Sequence, residues 1–205
     1  MKLTPRRLAT VAAFALVPVL ALGQTASAAN QTINYKVRAS AFGQTAELAL
    51  AQDISATGPA TVAPGGAVQI VIDPAVNQVP AEGGGYTVRE LKNLVLKLPV
   101  PANSTFVSAT TAGGSHPSTV ALEGKDVVLR VPGPLAGGKS FELPTVTINL
   151  TAGSSGTIAT KLGGTSYNAP GLTFTVVIVA FGIPIDAPAT AYPDPSPVLT
   201  STTIG

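Results

Sequence analysis

The chain has 205 residues, with twelve basic and ten acidic side chains, a single histidine and no cysteine. The basic excess lies at the start, in Lys2, Arg6 and Arg7, so the rest of the chain carries nine basic residues against ten acidic ones. A remainder with a net charge of −1 has no electrostatic basis for binding nucleic acid or anionic lipid. Without cysteine, the fold must be held by packing and not by disulfides.

The first 28 residues have the organisation of a signal peptide. The basic residues precede an apolar run over residues 8–22, and Ala26-Ser27-Ala28 then fits the small-x-small cleavage pattern. We predict cleavage after Ala28 and a secreted or cell-envelope location, in a protein of bacterial type. An uncleaved anchor is the alternative, although Pro18 interrupts the run and leaves it short for a membrane span. The general secretory and twin-arginine routes both fit the Arg6-Arg7 pair.

Beyond the signal peptide, Thr, Val, Ile and Leu dominate, and the chain as a whole holds 21 Gly and 18 Pro. This punctuation excludes long helices and leaves short β-strands between turns. Residues 145–150 alternate most clearly, and residues 119–131 predict a hairpin across the turn 123–126. The predicted strands cover residues 32–37, 46–54, 67–72, 94–98, 105–110, 119–122, 127–131, 145–150, 157–161 and 174–180.

Two segments depart from this alternation. Val88, Leu91, Val95 and Leu98 also fit a helical period, and we predict a loop or a turn of helix leading into the strand 94–98. After Gly182 the alternation stops and five prolines follow, which predicts an extended or disordered segment. The predicted organisation is a signal peptide at 1–28, one β-sandwich domain at 29–182 and a Pro-rich C-terminal tail at 183–205.

The middle of the chain carries a resemblance. Its residues 98–108 read LPVPANSTFVS, and a glycine pair, a Val-rich hairpin and a Gly-rich turn into an alternating strand follow. This order resembles the immunoglobulin-like repeat modules of bacterial surface proteins, although it occurs once, without tandem copies or a wall anchor. The chain is also loosely similar to small exported actinobacterial proteins of unknown function. The resemblance implies an all-β fold, a single immunoglobulin-like antiparallel sandwich of about seven to nine strands, with no catalytic residues to carry over.

Two glycine-rich motifs invite a phosphate-binding interpretation. Gly133-x-x-x-x-Gly138-Lys139-Ser140 matches the P-loop pattern, and a predicted strand precedes it. A P-loop also needs a following helix, whereas Pro144 and the alternation after it predict a strand. We interpret this motif as a turn between strands, and Gly83-Gly84-Gly85 as a flexible loop before Tyr86.

The chemistry of a catalytic or metal site is sparse. A hydrolase would use His116 as the base, with Ser108, Ser115 or Ser118 and an aspartate brought near, but no Gly-x-Ser-x-Gly elbow is present. We predict that His116 is a surface loop residue. One His and no Cys leave no zinc cluster, and Glu123 with Asp126 could at most join a weak Ca²⁺ site. The expectation is therefore no catalytic, cofactor-binding or metal-binding residues, and no cofactor.

Three functions remain open. The first is a non-catalytic interaction or structural module, whose partner is a protein or an envelope component and which has no membrane span once mature. The second is a carrier that binds an apolar small molecule or lipid between its sheets. The third is a hydrolase-type enzyme using His116. A solid core would favour the module, an apolar cavity the carrier and a polar cleft the enzyme. The residues expected to line the carrier's cavity are Leu94, Val127, Val146, Ile148 and Phe174.

Overall fold

A computed structural model of the chain describes residues 25–27 and 30–205. The predicted signal peptide lies outside the described residues, apart from the three residues of the first strand. Nowhere in these ranges is there an apolar helix of membrane-spanning length. The eighteen strands of the described part are β1 (Thr25–Ser27), β2 (Gln31–Ala41), β3 (Gln44–Pro59), β4 (Thr61–Val62), β5 (Ala67–Pro74), β6 (Asn77–Gln78), β7 (Glu82–Gly83), β8 (Tyr86–Pro99), β9 (Ser104–Ala112), β10 (Thr119–Glu123), β11 (Asp126–Val131), β12 (Leu135–Ala136), β13 (Ser140–Phe141), β14 (Thr145–Ala152), β15 (Gly156–Thr160), β16 (Leu172–Ala180), β17 (Ile183–Pro193) and β18 (Thr200–Ile204).

Most of these strands belong to one antiparallel sheet, the main sheet, which is nearly barrel-shaped. Its order is β10-β11-β8-β16-β17-β2-β3-β5-β14-β9, and the two outermost strands, β10 and β9, lie beside each other. Two small sheets, β13-β6 and β15-β18-β4, complete the domain. The expectation of an all-β, antiparallel fold is confirmed. The expected count of seven to nine strands is wrong, because the structure has many more strands, several of them only two residues long.

Period-two burial builds the core. In β14, Val146, Ile148 and Leu150 are each 1% exposed, while the residues between them are half-buried on the opposite face. The hairpin predicted over residues 119–131 is confirmed, with Glu123 paired to Asp126 and a positive φ of 64° at Gly124. Such a turn favours glycine because a side chain at that φ meets the following carbonyl.

The prediction of a loop or a helical turn before residue 94 is wrong, because β8 runs without a break from Tyr86 to Pro99. Its register against β16 shifts twice, so that β8 gains one extra residue at each of two bulges. Near the second bulge, Asn93 has a φ of 56°. Each extra residue widens the spacing of inward side chains from two to three, as between Val88 and Leu91, and this spacing imitates a helical period.

The predicted C-terminal tail is extended, as expected, but it is part of the domain. Its residues form β17, which lies between β16 and β2 in the main sheet, and β18, which pairs with β15 and β4. Pro184 and Pro188 occur where β17 pairs with β16 alone, and Pro193 lies beyond the last residue paired with β16. Proline is tolerated at such positions because the missing N–H would face no neighbouring strand.

We predict that a chain ending after Gly182 does not fold. Removing β17 separates β16 from β2 and exposes the apolar faces of both strands, whose burial stabilises the sheet. Thermal unfolding followed by far-ultraviolet circular dichroism checks this outcome. A chain ending after Leu199 is the control, since it loses β18 alone and should unfold cooperatively at a lower temperature. If the chain ending after Gly182 unfolded cooperatively at the same temperature as the full-length protein, that result would contradict the strand order of the main sheet.

Candidate functional site

An apolar pocket of about 400 Å³ opens at one end of the main sheet, where the hairpins β2–β3 and β16–β17 turn. Its walls come from five neighbouring strands, β8, β16, β17, β2 and β3. Aliphatic and aromatic side chains make up most of this lining. Those that face each other across the pocket are Val37, Ala39, Ala41, Ala46, Leu48, Leu50, Val88, Leu91, Phe174, Val176, Ile178 and Ala187.

The pocket exists because the inward side chains become smaller toward this end. Along β2 the inward positions read Ile33, Tyr35, Val37, Ala39 and Ala41, and the first three are at most 4% exposed. The large side chains fill the interior, whereas the two alanines leave it open. The neighbouring strand β17 adds to the space at Ala187, which lines the pocket, whereas its next inward residues, Ala189 and Ala191, are buried in the filled core.

The chemistry of the lining favours an uncharged ligand. Of the described residues that line the pocket, only Glu82 and Tyr86 can ionise, and none is Lys or Arg. An acyl chain or an apolar ring could be buried here without an unpaired charge. An anionic head group would find no cation in this lining, so it would have to lie outside the pocket.

Two hairpin tips with the same sequence stand at the pocket mouth. Ala41-Phe42-Gly43 joins β2 to β3, and Ala180-Phe181-Gly182 joins β16 to β17. Both turn residues of each hairpin have positive φ, 54° and 73° in the first and 53° and 77° in the second. This is type I′ geometry, which favours Asn-Gly and is unfavourable for a bulky residue. The two phenylalanines are nevertheless 58% and 94% exposed, so burial does not explain their presence.

A third hairpin borders the mouth. It joins β7 to β8 through Gly84 and Gly85, which have positive φ, and it is the glycine run predicted as a flexible loop before Tyr86. A β-carbon at Gly84 would lie 3.6 Å from the methyl group of Ala46, so this hairpin packs closely against β3. The positive φ of Gly84 and Gly85 allows this tight turn, which brings the end of β7 to the wall formed by β3.

Charged and aromatic side chains contact one another on the outer surface of the pocket wall. Arg38 of β2 pairs with Glu47 of β3 at 2.7 Å, and its guanidinium lies 3.9 Å from the ring centre of Tyr167. Loss of solvent around the Tyr167 phenol and the nearby Glu47 carboxylate raise the pKa of that phenol. Lys92 of β8 similarly pairs with Asp186 of β17 at 2.9 Å. The first pair joins the neighbouring strands β2 and β3, and the second reaches across β16 from β8 to β17.

The predicted hydrolase residues do not form a cleft. Ser115 Oγ lies 2.8 Å from His116 Nδ1, but the same oxygen accepts a hydrogen bond from the Glu142 backbone N–H at 3.0 Å. Ser108 Oγ is bonded instead to Asn149 Nδ2. Among the hydrogen bonds of residues 30–205, none joins His116 to a carboxylate. These residues are also absent from the pocket lining.

The P-loop-like motif is a turn between short strands. The backbone N–H groups of Gly137, Gly138 and Lys139 donate to the carbonyls of Arg89, Val79 and Ala136, at 2.8, 2.9 and 3.2 Å. They are therefore already engaged and do not point at an open cradle. The residues after the motif form β13 and not a helix. The interpretation of this motif as a turn agrees with the structure.

The cavity residues and the calcium residues expected from the sequence lie elsewhere. Phe174 lines the pocket, whereas Leu94, Val127, Val146 and Ile148 are packed in the solid part of the core, so that expectation is wrong for four of the five. At the β10–β11 turn, Glu123 accepts two hydrogen bonds from Arg130 Nη2, at 2.9 and 2.7 Å, which lower the pKa of that carboxyl group. Within the part of the chain that the structure describes, no three His, Cys, Asp or Glu side chains are placed to hold a metal ion.

Strand alternation does not single out the two phenylalanines at the mouth. The available signal was the repeated tripeptide Ala-Phe-Gly, which follows an alternating segment in both places. Repeats this short arise by chance, and a Phe-Gly pair is not a recognised hairpin signal in the way that Asn-Gly is. Only the pairing of the strands shows that both copies are turns at the same end of the sheet.

The fold and the pocket define an all-β antiparallel module with an apolar cavity at one end. No protein-family model and no curated protein sequence matches the chain. Among solved structures, a protein of Corynebacterium diphtheriae described as membrane anchored is similar over 89% of this chain, with 16% identity and a TM-score of 0.54. The chain spans 38% of that structure's length, and at this identity the likeness shows the fold alone. A cohesin module from the family 33 glycoside hydrolase of Clostridium perfringens ATCC13124 is 16% identical over 74% of this chain and 95% of its own, with a TM-score of 0.35.

We predict that Phe42→Asn and Phe181→Asn each stabilise the isolated protein. Asn tolerates the positive φ of these turns, and the exposed phenylalanine rings contribute little packing. Urea unfolding should show a gain of about 1 kcal/mol for each variant, the order of the cost that the left-handed conformation imposes on a residue with a bulky side chain. Phe106→Asn is the contrasting variant, because Phe106 packs against the core from β9, and it should lose stability. A loss of stability in both turn variants would show that the two rings serve the fold.

Proposed function

We propose that this protein is a non-catalytic module of the cell envelope or the secreted fraction, and that it binds an apolar molecule of the acyl-chain class in the end pocket. The observation that carries the proposal is the cavity of about 400 Å³ and its aliphatic and aromatic lining. Small-molecule sites are usually apolar clefts of about 300–1,000 Å³ with a few polar groups. This pocket has that size and that composition.

A carrier and a plain interaction module make different demands on the interior. A module that only presents a surface gains most from a filled core, since each unfilled methyl-sized space weakens packing. Here alanines occupy the inward positions of β2 and β17 toward one end, while the rest of the core is filled by Ile, Leu and Val. The localised opening favours the carrier over the other two hypotheses.

The expected ligand is uncharged over the part that enters the pocket. Tyr86 and Glu82 lie at the glycine-rich rim, where a hydroxyl or amide of the ligand could form a hydrogen bond. The buried wall offers only hydrocarbon, so chain length and shape would decide affinity. We therefore propose a lipid or a long-chain alcohol or ester over a soluble anion.

Two further points support an extracytoplasmic setting. Residues 1–28 have the composition of a signal peptide, which directs export from the cytoplasm. The similar Corynebacterium diphtheriae protein is described as membrane anchored, which agrees with an envelope role. Kinship with the immunoglobulin-like surface modules belongs to the same proposal, and the all-β, antiparallel fold agrees with it.

We predict that the neutral fluorophore N-phenyl-1-naphthylamine binds saturably and gains fluorescence, and that dodecanol displaces it. Ala39→Phe places a ring in the pocket and should weaken binding at least about tenfold. Ser40→Phe is the matched control, because it adds the same ring to the other face of β2 and should leave affinity unchanged.

Ala46→Phe fills the pocket from β3 and keeps the test decisive if the first variant is unstable. Thermal unfolding confirms that each variant is folded before titration. An unsaturable signal in the natural protein, or equal losses in Ala39→Phe and Ser40→Phe, would refute the proposed pocket.

A further inference from the structure

We propose that the Phe42 and Phe181 hairpin tips dock this protein on the surface of a lipid bilayer, with the pocket mouth facing the membrane. Both tips border the same mouth, and both present an aromatic ring to solvent on a two-residue turn. Ile183, 60% exposed, and Tyr86, 38% exposed, extend this apolar end. A contiguous exposed apolar surface of this kind marks a membrane or protein contact.

The distribution of charge favours a bilayer as the occupant. Residues 39–46 and 171–185 contain no charged side chain. The first charged residues beyond each tip are paired, Arg38 with Glu47 at 2.7 Å and Asp186 with Lys92 at 2.9 Å. Both tips can therefore enter the boundary between head groups and acyl chains without desolvating an unpaired ion.

The shape of the tips also favours a bilayer over a protein partner. They are narrow convex turns, so a protein partner would need two matching cavities at a fixed separation. A bilayer accepts protruding aromatic side chains at its interface without such a match. The unfavourable φ at both phenylalanines also indicates that the rings are retained for a contact made outside the fold.

Docking in this orientation would give the pocket a route for its ligand. An acyl chain could pass from the bilayer into the mouth between the tips without crossing water. This transfer route, unlike the docking itself, rests on the proposed function. Because the chain beyond residue 28 carries nine basic and ten acidic residues, docking should depend on apolar insertion and not on anionic lipid.

The chain contains no tryptophan, so Phe181→Trp introduces a single reporter. With vesicles of phosphatidylcholine, its emission should shift to the blue and be quenched by brominated acyl chains. Val107→Trp is the control, since Val107 is also an exposed apolar residue, at 60%, but lies on β9, outside the pocket lining. That reporter should show neither change. Equal behaviour of the two reporters, or no shift for Phe181→Trp, would overturn the inference.

Sedimentation with vesicles provides the second measurement. The double variant Phe42→Asn/Phe181→Asn should bind phosphatidylcholine vesicles at least about tenfold more weakly than the natural protein. Val107→Asn should bind them with the affinity of the natural protein. Binding should be similar at about 0.1 and about 1 M salt, and in vesicles with or without phosphatidylglycerol. Binding that needs phosphatidylglycerol and is lost at high salt would contradict insertion of uncharged tips.

Ligand binding in the pocket and docking of the tips on a bilayer can be refuted independently. Ala39→Phe should lose N-phenyl-1-naphthylamine binding in vesicle-free solution but keep vesicle binding. Ile183→Asn, which removes an apolar side chain that is 60% exposed and lies outside the pocket lining, should weaken vesicle binding and keep N-phenyl-1-naphthylamine binding. Vesicle binding without a saturable ligand would therefore reject the pocket alone, and ligand binding without vesicle binding would reject the docking alone.

Discussion

The pairing of β17 between β16 and β2 is the constraint on which the rest of the structure depends. It joins the strands from the first and last parts of the chain into one sheet, and so it brings both Ala-Phe-Gly tips to the same end. Because β17 presents only the small side chain of Ala187 to the pocket, the strand closes the wall without filling the space behind it. The same pairing therefore completes the fold and leaves the cavity.

The main sheet has two ends with different packing. In the filled part, Ile70, Ile148 and Leu98 are at most 1% exposed, as residues of a closely packed interior are. Toward the pocket the inward side chains of β2 become smaller, and ion pairs and a cation–π contact lie on the outer surface of the wall. A stable fold and an open cavity are compatible here because one part of each strand packs in the filled core and another part lines the pocket.

The hairpin tips show a conflict between local preference and surface composition. Both turns adopt the geometry that Asn-Gly favours, yet Phe42 and Phe181 occupy the first turn position and remain exposed. A sequence optimised for folding alone would remove this conflict. The same end of the molecule combines the strained aromatic residues, the apolar cavity and two hairpin tips that contain no charged residue, which is why the pocket and the docking inference concern one site.

The sequence by itself determined the all-β class, the antiparallel arrangement expected of short strands between turns, and strands such as 145–150, because period-two burial is a local property. It could not determine β8, where bulges imitate a helical period, or β17, whose inward alanines and prolines hide its alternation. Tertiary structure alone decided where the cavity lies, since a space opens only where small side chains such as Ala39 and Ala187 from neighbouring strands border the same interior. It also decided that two distant phenylalanines share one mouth, because strand order, and not sequence proximity, brings them together.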